Sequence, residues 1–285
     1  MNIWDKLSSI DRRWVFLAMA IFVAWPVLKP LGLPVTTTKE VEDIHAFVDQ
    51  LDGENPIILG LDYGPSTAPE LTPMAKAVIT HAFSKGIPVI GVSLAPDAPG
   101  VANDIMKWSE SELGAVQGKD IAYLGYKVGT LNVILQMGQG ISKAFPKDYY
   151  GKPTDELPIM KGISTLKDAA IVIGLEATAI SDLWIQYAGD QMGVPVGIGM
   201  TAVSAPEAYV FYQSGQIVGL MGGMKGGAEY ELLVDAPGSA VQGMDAQSLG
   251  HIVIIVFIIL GNLGYFLGQK GQDVSRLETL REDKK

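Results

Sequence analysis

The chain has 285 residues, 33 of them glycine, no cysteine, and a formal net charge of -10. A composition with 48% hydrophobic and 18% charged residues excludes a disordered chain. The acidic balance disfavours a nucleic-acid partner, because phosphate binding requires Lys and Arg, and the lack of cysteine excludes disulfides, thiolate metal sites and a cysteine nucleophile.

An apolar run after the short N-terminal tail 1–13 predicts a first membrane-spanning segment. Residues 14–33 contain one charged side chain, Lys29, which lies near the end of the run. Their length matches a hydrocarbon core of ~30 Å. A cleaved signal peptide is the alternative, but the following KPLGLP sequence is a poor cleavage site. We therefore predict an uncleaved transmembrane helix.

Alternating strand and helix signals fill the central region 37–245. A capping box at 37–40 predicts a first helix, which carries Val41, Ile44 and Val48 at helical spacing. Short runs rich in Val, Ile and Leu predict buried parallel strands. The predicted strands are Ile57–Asp62, Pro88–Leu94, Asp120–Tyr126, Ala169–Leu175 and Val194–Met200.

Helical patterns occupy most of the segments between these strands. Thr72 is predicted to cap the helix that follows the first strand, with Pro73 in its first turn and His81 on its solvated face. Further helices are predicted near 99–114, 129–144, 179–192 and 205–234. The polar segment 145–168 is predicted to be a surface excursion.

Strands separated by helices of this length imply βαβ units and an open parallel sheet. The predicted fold class is therefore α/β. It is a Rossmann-like or flavodoxin-like three-layer domain of about five strands, flanked by N- and C-terminal transmembrane helices.

A ladder of glycines lies between residues 214 and 231. Four of them, which we name the ladder glycines, recur every fourth residue: Gly215, Gly219, Gly223 and Gly227. In one continuous helix they would form a groove without side chains, at a cost of ~1 kcal/mol each relative to alanine. Three alternatives offset or avoid that cost: packing against the domain's own sheet, a subunit interface, or a glycine-rich loop between two shorter helices.

A second apolar run, 249–268, predicts the C-terminal transmembrane helix, followed by a tail at 269–285. All four arginines lie outside the segment between the two runs, so the positive-inside rule places both termini in the cytoplasm. The domain between them then lies outside the cytoplasm. Residues 39–245 contain 12 Lys and 25 Asp plus Glu, a balance of -13.

Ligands of open α/β sheets bind beyond the carboxyl ends of the strands, and polar residues follow several of the predicted strands. Asp62, Lys127 and Glu176 would form an acid/base or ion-pair cluster if the strand order brings them together; otherwise they cap helices or pair structurally. The full set of predicted ligand-binding residues is Asp62, Tyr63, Tyr126, Lys127, Glu176, Thr178 and Thr201.

Standard catalytic and cofactor motifs are missing from the sequence. It contains no P-loop and no GxSxG elbow, and its three histidines do not suit a catalytic triad or a zinc site. A GxGxxA pattern at 197–202 follows the fifth strand rather than the first, which argues against a dinucleotide site. We therefore expect no metal and no cofactor.

The run SGQIVGLMGGMKGGAEYE, with DIAYLGYKVG upstream and an apolar helix downstream, resembles an uncharacterised group of prokaryotic membrane proteins. Their glycine-rich segment ends in a GAAEYE-like motif, which reads GGAEYE at 226–231 here. The resemblance implies a membrane protein of that type and no particular activity.

These patterns favour a membrane-anchored assembly or scaffold protein of the inner or plasma membrane. Its expected partners are the lipid bilayer and either copies of itself or other membrane subunits, which would contact the ladder glycines. A small-ligand binding or sensing module that uses the strand-end crevice is the alternative. A third possibility is an enzyme that uses the carboxylates of Asp62 or Glu176.

Overall fold

The computed structural model describes residues 11–282, with side chains as far as residue 267. The predicted tails 1–13 and 269–285 therefore fall largely outside the described side chains. By contacts the chain divides into two compact units. One unit is the domain Pro34–Val241, and the other comprises the two ends of the chain, up to Leu33 and from Gln242.

The helices and strands alternate along the chain. The helices are α1 (Arg12–Leu28), α2 (Lys39–Asp49), α3 (Ala68–Ser84), α4 (Pro99–Trp108), α5 (Thr130–Gln139), α6 (Ile141–Ala144), α7 (Ile180–Leu183), α8 (Ala205–Gln213), α9 (Gly223–Leu233) and α10 (Ser239–Glu282). The strands are β1 (Ile57–Asp62), β2 (Val89–Ser93), β3 (Ile121–Tyr126), β4 (Ile171–Glu176), β5 (Val196–Met200) and β6 (Gly219–Gly222). Helices α4 and α7 continue as π-helical segments, Ser109–Leu113 and Trp184–Gln191.

The domain is built on a six-stranded sheet in the order β3-β2-β1-β4-β5-β6, with every pair parallel. The α/β class with a parallel sheet is thus confirmed. This order is compatible with the Rossmann-like alternative and differs from the flavodoxin-like order 2-1-3-4-5. The order reverses between β1 and β4, which makes their carboxyl ends the switch point of the fold.

Helices cover both faces of the sheet and create two apolar cores. One core lies under α2, α3, α4 and α9, and the other lies under α5, α7 and α8. The strands in the middle of the sheet are buried along their whole length, which explains their continuous apolar sequences. All five predicted strands are confirmed to within two residues at either end.

The single helix predicted over 205–234 is wrong. The structure places two helices there, α8 and α9, with the edge strand β6 between them. Leu220 and Met221 of β6 enter opposite cores and are fully buried. Pairing with β5 and burial on both faces make this segment a strand. The four-residue spacing of the glycines therefore does not reflect a helix here.

Three of the ladder glycines lie at close approaches inside the domain. A Cβ on Gly219 would lie 2.5 Å from the Glu40 carbonyl oxygen and 2.6 Å from the Ile44 Cβ. Gly223 begins α9 with a φ of 60°, and a Cβ there would lie 2.7 Å from the Ala202 Cβ. Gly227 packs beside Met74 of α3, whereas Gly215 lies in a turn with a φ of 76° and open space around it.

Two details of α3 correct the sequence interpretation. The helix begins at Ala68 with Thr67 at the cap position, so Thr72 and Pro73 lie inside it. His81 is buried rather than solvated: its Nδ1 lies 3.0 Å from the Tyr230 hydroxyl, and its ring stacks on His45 at 4.5 Å. The sequence predicts a solvated His81 because this residue lies outside the apolar stripe of α3, but α9 covers that face of the helix.

The segment 145–168 is also more buried than predicted. It forms three short 3-10 turns, and it places Phe145, Leu157 and Leu166 in the core beneath α5. These three buried residues could not be recognised in the proline-rich, polar sequence, because they do not recur with the period of a helix or a strand.

Three consecutive side chains of α9 tie distant parts of the domain together. Glu229 accepts hydrogen bonds from the backbone N–H and the hydroxyl of Thr38, both at 2.7 Å, at the start of α2. Tyr230 contacts His81 of α3. Glu231 accepts from the backbone N–H groups of Gly238, Ala240 and Val241, at the start of α10. The GGAEYE segment is therefore a structural junction in this domain.

In the unit formed by the chain ends, α1 ends at Leu28, so the helical part of the predicted segment 14–33 is shorter than expected. The backbone N–H groups of Leu31, Gly32 and Leu33 all donate to the buried carboxylate of Asp245. Among the described residues, one helical stretch, Ser239–Leu267, is long and apolar enough to cross a membrane.

The packing of Gly219 predicts that a single methyl group disrupts the domain. Gly219→Ala should lower the free energy of unfolding by about 2 kcal/mol, because the added methyl group would overlap the backbone of Glu40 and Ile44, which can yield only if α2 shifts. Urea denaturation of the purified full chain measures the change. Gly100→Ala, in the first turn of α4 with nothing within 4 Å, is the matched control and should change it by less than about 1 kcal/mol. Unchanged stability in Gly219→Ala together with a loss of oligomers would instead favour an intermolecular role for the ladder glycines.

Candidate functional site

Two acidic side chains meet at the switch point of the sheet. Strands β1 and β4 pair residue for residue, from Ile57 with Ile171 to Asp62 with Glu176. Asp62 and Glu176 therefore stand side by side at the carboxyl ends of adjacent strands, on the same face of the sheet. Their exposed fractions are 1% and 0%, so the protein buries both carboxyl groups.

Two glycines make room for these carboxyl groups. A Cβ on Gly60 would lie 3.0 Å from Asp62 Oδ2 and 3.1 Å from Trp184 Nε1. A Cβ on Gly174 would lie 2.6 Å from Glu176 Oε1 and 3.2 Å from Trp184 Cδ1. Both side chains thus fold back over the glycine two residues earlier, beneath the indole of Trp184.

Asp62 is well supplied with hydrogen-bond donors. Its carboxylate accepts from the backbone N–H groups of Leu94 and Ala95 and from the indole Nε1 of Trp184 at 3.1 Å. Burial raises the pKa of Asp62 to about 6, and these hydrogen bonds oppose the rise. A carboxylate has about four acceptor positions, so three bonds leave one for another donor.

Glu176 has the opposite environment. Within the described part of the chain, neither of its oxygens has a hydrogen-bond partner. Burial raises the pKa of Glu176 well above its usual range, and the negative charges of Asp62 and Asp182 raise it further. Its surroundings therefore favour the neutral carboxyl group over the ionised one, because burial without a hydrogen-bond partner penalises a charge.

A cavity of about 370 Å³ opens at the same edge of the sheet. We name it the switch-point crevice. Asp62 and Tyr63 of the β1 end lie at its walls, together with the first residues of the helices that follow β1, β3 and β4. Its other lining residues are Gly64, Ser66, Thr67, Leu94, Ala95, Pro96, Asp97, Thr130, Ala177, Thr178 and Ile180.

The predicted ligand-binding residues are thus divided by the strand order. Asp62, Tyr63 and Thr178 line the switch-point crevice, and Glu176 lies beside Asp62. Tyr126 ends β3 and Lys127 follows it, two strands away from β1, and Lys127 is exposed. The expected cluster of Asp62, Lys127 and Glu176 is therefore reduced to its two acids.

Thr201, the remaining candidate, follows β5 on the other side of β4. Its hydroxyl lies 3.3 Å from the Ser204 hydroxyl, in the turn that leads into α8. It does not belong to the lining of the switch-point crevice.

Sequence reasoning missed Asp97, Ser66 and Trp184 as site residues. Nothing in the local sequence marks the first two, because the loops after β1 and β2 bring them together. A signal for the acid pair does exist. The strands IILGLD and IVIGLE share the same ending, a glycine, a leucine and an acid, and this shared pattern matches their register in the sheet.

The structure uses the GxGxxA glycines for packing. A Cβ on Gly197 would collide with Ile44 of α2, and a Cβ on Gly199 would lie 2.5 Å from the Leu175 side chain. Among the described residues, no group of three or more His, Asp or Glu side chains is arranged to hold a metal ion.

Comparisons with protein families, with curated proteins and with solved structures found no match to this chain. The site must therefore be interpreted from its own geometry.

The burial of Asp62 predicts a pH dependence of stability. Its pKa is higher in the folded domain than the usual 3.8, so the folded state gains stability from it at low pH and loses that gain as pH rises through about 6. Between pH 5 and 7.5 the loss is about 1 kcal/mol. His45 and His81 act in the opposite direction, because burial lowers their pKa values.

Asp62→Asn isolates the contribution of Asp62, since both histidines are unchanged in the variant. Between pH 5 and pH 7.5 the wild type should lose about 1 kcal/mol more unfolding free energy than the variant does. Urea titrations at the two pH values measure it. A difference that is constant with pH would contradict the raised pKa.

Proposed function

We propose that this chain is a membrane-anchored binding protein whose α/β domain takes a small molecule in the switch-point crevice. The observation that carries the proposal is the crevice itself, which lies at the carboxyl ends of β1 and β4 with Asp62 in its wall. Open α/β sheets bind their ligands at this position, and the crevice volume falls in the range of small-molecule sites.

The membrane part of the proposal rests on apolar surface and on charge. Side chains such as Trp14, Phe16 and Trp25 of α1 are more than half exposed, as are Ile252, Ile255 and Ile258 of α10. Exposed apolar surface of this kind is typical of helices in contact with lipid. Arginines occur only at the two ends of the chain, which favours a cytoplasmic location for both ends and an extracytoplasmic domain.

A scaffold function has weaker support than ligand binding. It rests on the two predicted anchors, the acidic domain and the ladder glycines, and three of these glycines have packing partners inside the domain. Ligand binding is supported instead by the crevice at the switch point, the position where open α/β sheets bind their ligands.

The proposed topology can be tested with single cysteines, because the natural chain contains none. In intact cells, Ser111→Cys in the domain should react with a membrane-impermeant maleimide, and Ser9→Cys in the N-terminal tail should react only after the membrane is permeabilised. Ser111 is exposed, so protection by the fold does not interfere. The reverse labelling pattern would contradict the orientation.

Ligand binding is tested by blocking the crevice. Differential scanning fluorimetry of the detergent-solubilised full chain against a set of common neutral, acidic and basic metabolites should show at least one compound that raises Tm by several degrees. Thr178→Trp, which fills the crevice from an exposed position, should abolish that shift. Val116→Trp, at an exposed site outside the crevice lining, is the control and should retain it. If no compound stabilises the wild-type protein, the proposed function is wrong.

A further inference from the structure

We propose that the switch-point crevice selects ligands that carry a protonated amino group, which Asp62 and Asp97 bind directly. This inference rests on the proposed function and specifies the class of ligand. It stands on the residues that line the crevice, on the closed backbone at the start of α3, and on the buried acid beside Asp62.

The lining of the crevice is acidic and rich in hydroxyl groups. Asp62 lies in its wall, and Asp97 reaches it from the loop after β2. The hydroxyls of Ser66, Thr67 and Thr178 add neutral acceptors and donors. No Lys, Arg or His side chain lines the crevice in the part of the chain that the structure describes. Such a lining favours a cation, because an ammonium group needs acceptors around it.

The usual phosphate position of this fold is closed. In nucleotide-binding domains, free N–H groups of the turn after the first strand hold the phosphates. Here the N–H groups of Thr67 and Ala68 donate to the Gly64 carbonyl, and Pro65 and Pro69 have no N–H. The Asp97 carboxylate packs directly against Gly64, where a Cβ would overlap it. A phosphate at this turn would meet a negative charge and fewer free backbone donors than the usual phosphate-binding turn supplies.

Glu176 supplies an independent observation. It is fully buried, it stands next to Asp62 in the sheet, and its oxygens lack partners among the described residues. Glu176 does not line the crevice, but a positive charge bound at Asp62 would lie near it, and a nearby positive charge lowers the cost of a buried carboxylate. Asp62, with one acceptor position left, is the group through which an ammonium in the crevice interacts with this pair.

One feature of the crevice favours an anion instead. Helix α5 begins at Thr130 in the crevice lining without a side-chain cap, and helix N-termini attract negative charge. A carboxylate on the ligand is compatible with that end of the crevice. The proposal requires only that the amino group is present.

Matched probes test this requirement. Three matched sets of probes are titrated into the full chain in detergent: the twenty amino acids, the corresponding amines without the carboxylate, and the corresponding hydroxy acids, in which a hydroxyl takes the place of the amino group. Inorganic phosphate and AMP are titrated in the same way. The fluorescence of Trp184, which donates to Asp62, reports binding, and 150 mM KCl screens weak surface attraction. Binding should occur only for probes that carry an amino group.

The Asp97→Asn variant should weaken that binding about tenfold or more, the loss expected for one charge-assisted hydrogen bond. Asp104→Asn, which removes the same charge from an exposed position outside the crevice lining, should leave it unchanged. Binding of hydroxy acids, phosphate or AMP in place of the amines would overturn the amino-group proposal and leave the binding function intact. Equal binding by both variants would overturn the assignment of Asp97. Binding by no probe and by no other metabolite would overturn the proposed function as well.

Discussion

The in-register pairing of β1 with β4 is the constraint on which both the fold and the site depend. From this pair the strand order runs outward in opposite directions. The helices that follow β1 and β4 both begin at the carboxyl edge of the sheet, and a crevice lies between their first residues. The register places Gly60 beside Gly174 and Asp62 beside Glu176. A shift of one strand by one residue would turn its acid to the opposite face of the sheet, where α3 packs, and would separate the two carboxyl groups.

Helix α9 supplies the second constraint, since its polar side chains organise elements that are distant in sequence. Glu229 and Glu231 satisfy backbone N–H groups at the starts of α2 and α10, and the cap residue of α2, Thr38, forms no side-chain cap of its own. Uncapped donors at a helix start cost free energy when they are buried. The glycines at 226 and 227 let α9 approach close enough for these contacts, so the glycine excess of the sequence serves packing here.

Sequence reasoning predicted the five longer strands because their apolar runs are continuous and bounded by turn residues. It could not recognise β6, whose four residues include two glycines and whose strand character comes only from pairing with β5. It identified Asp62 and Glu176 as candidates but not as neighbours, because strand order is a property of the whole chain. Lys127 fails as a partner for the same reason, and Asp97 reaches the crevice only through loop geometry.

The two acids, Asp62 and Glu176, lie side by side in environments that stabilise a negative charge to different degrees. The donors around Asp62 oppose the rise in its pKa, whereas Glu176 has no partner in the described structure and the charges of Asp62 and Asp182 raise its pKa further. If Glu176 were also ionised, two adjacent charges would lie in a space from which the Trp184 indole excludes water. Of the two acids, Asp62 has the environment that better stabilises a negative charge, and Asp62 is the member that lines the crevice.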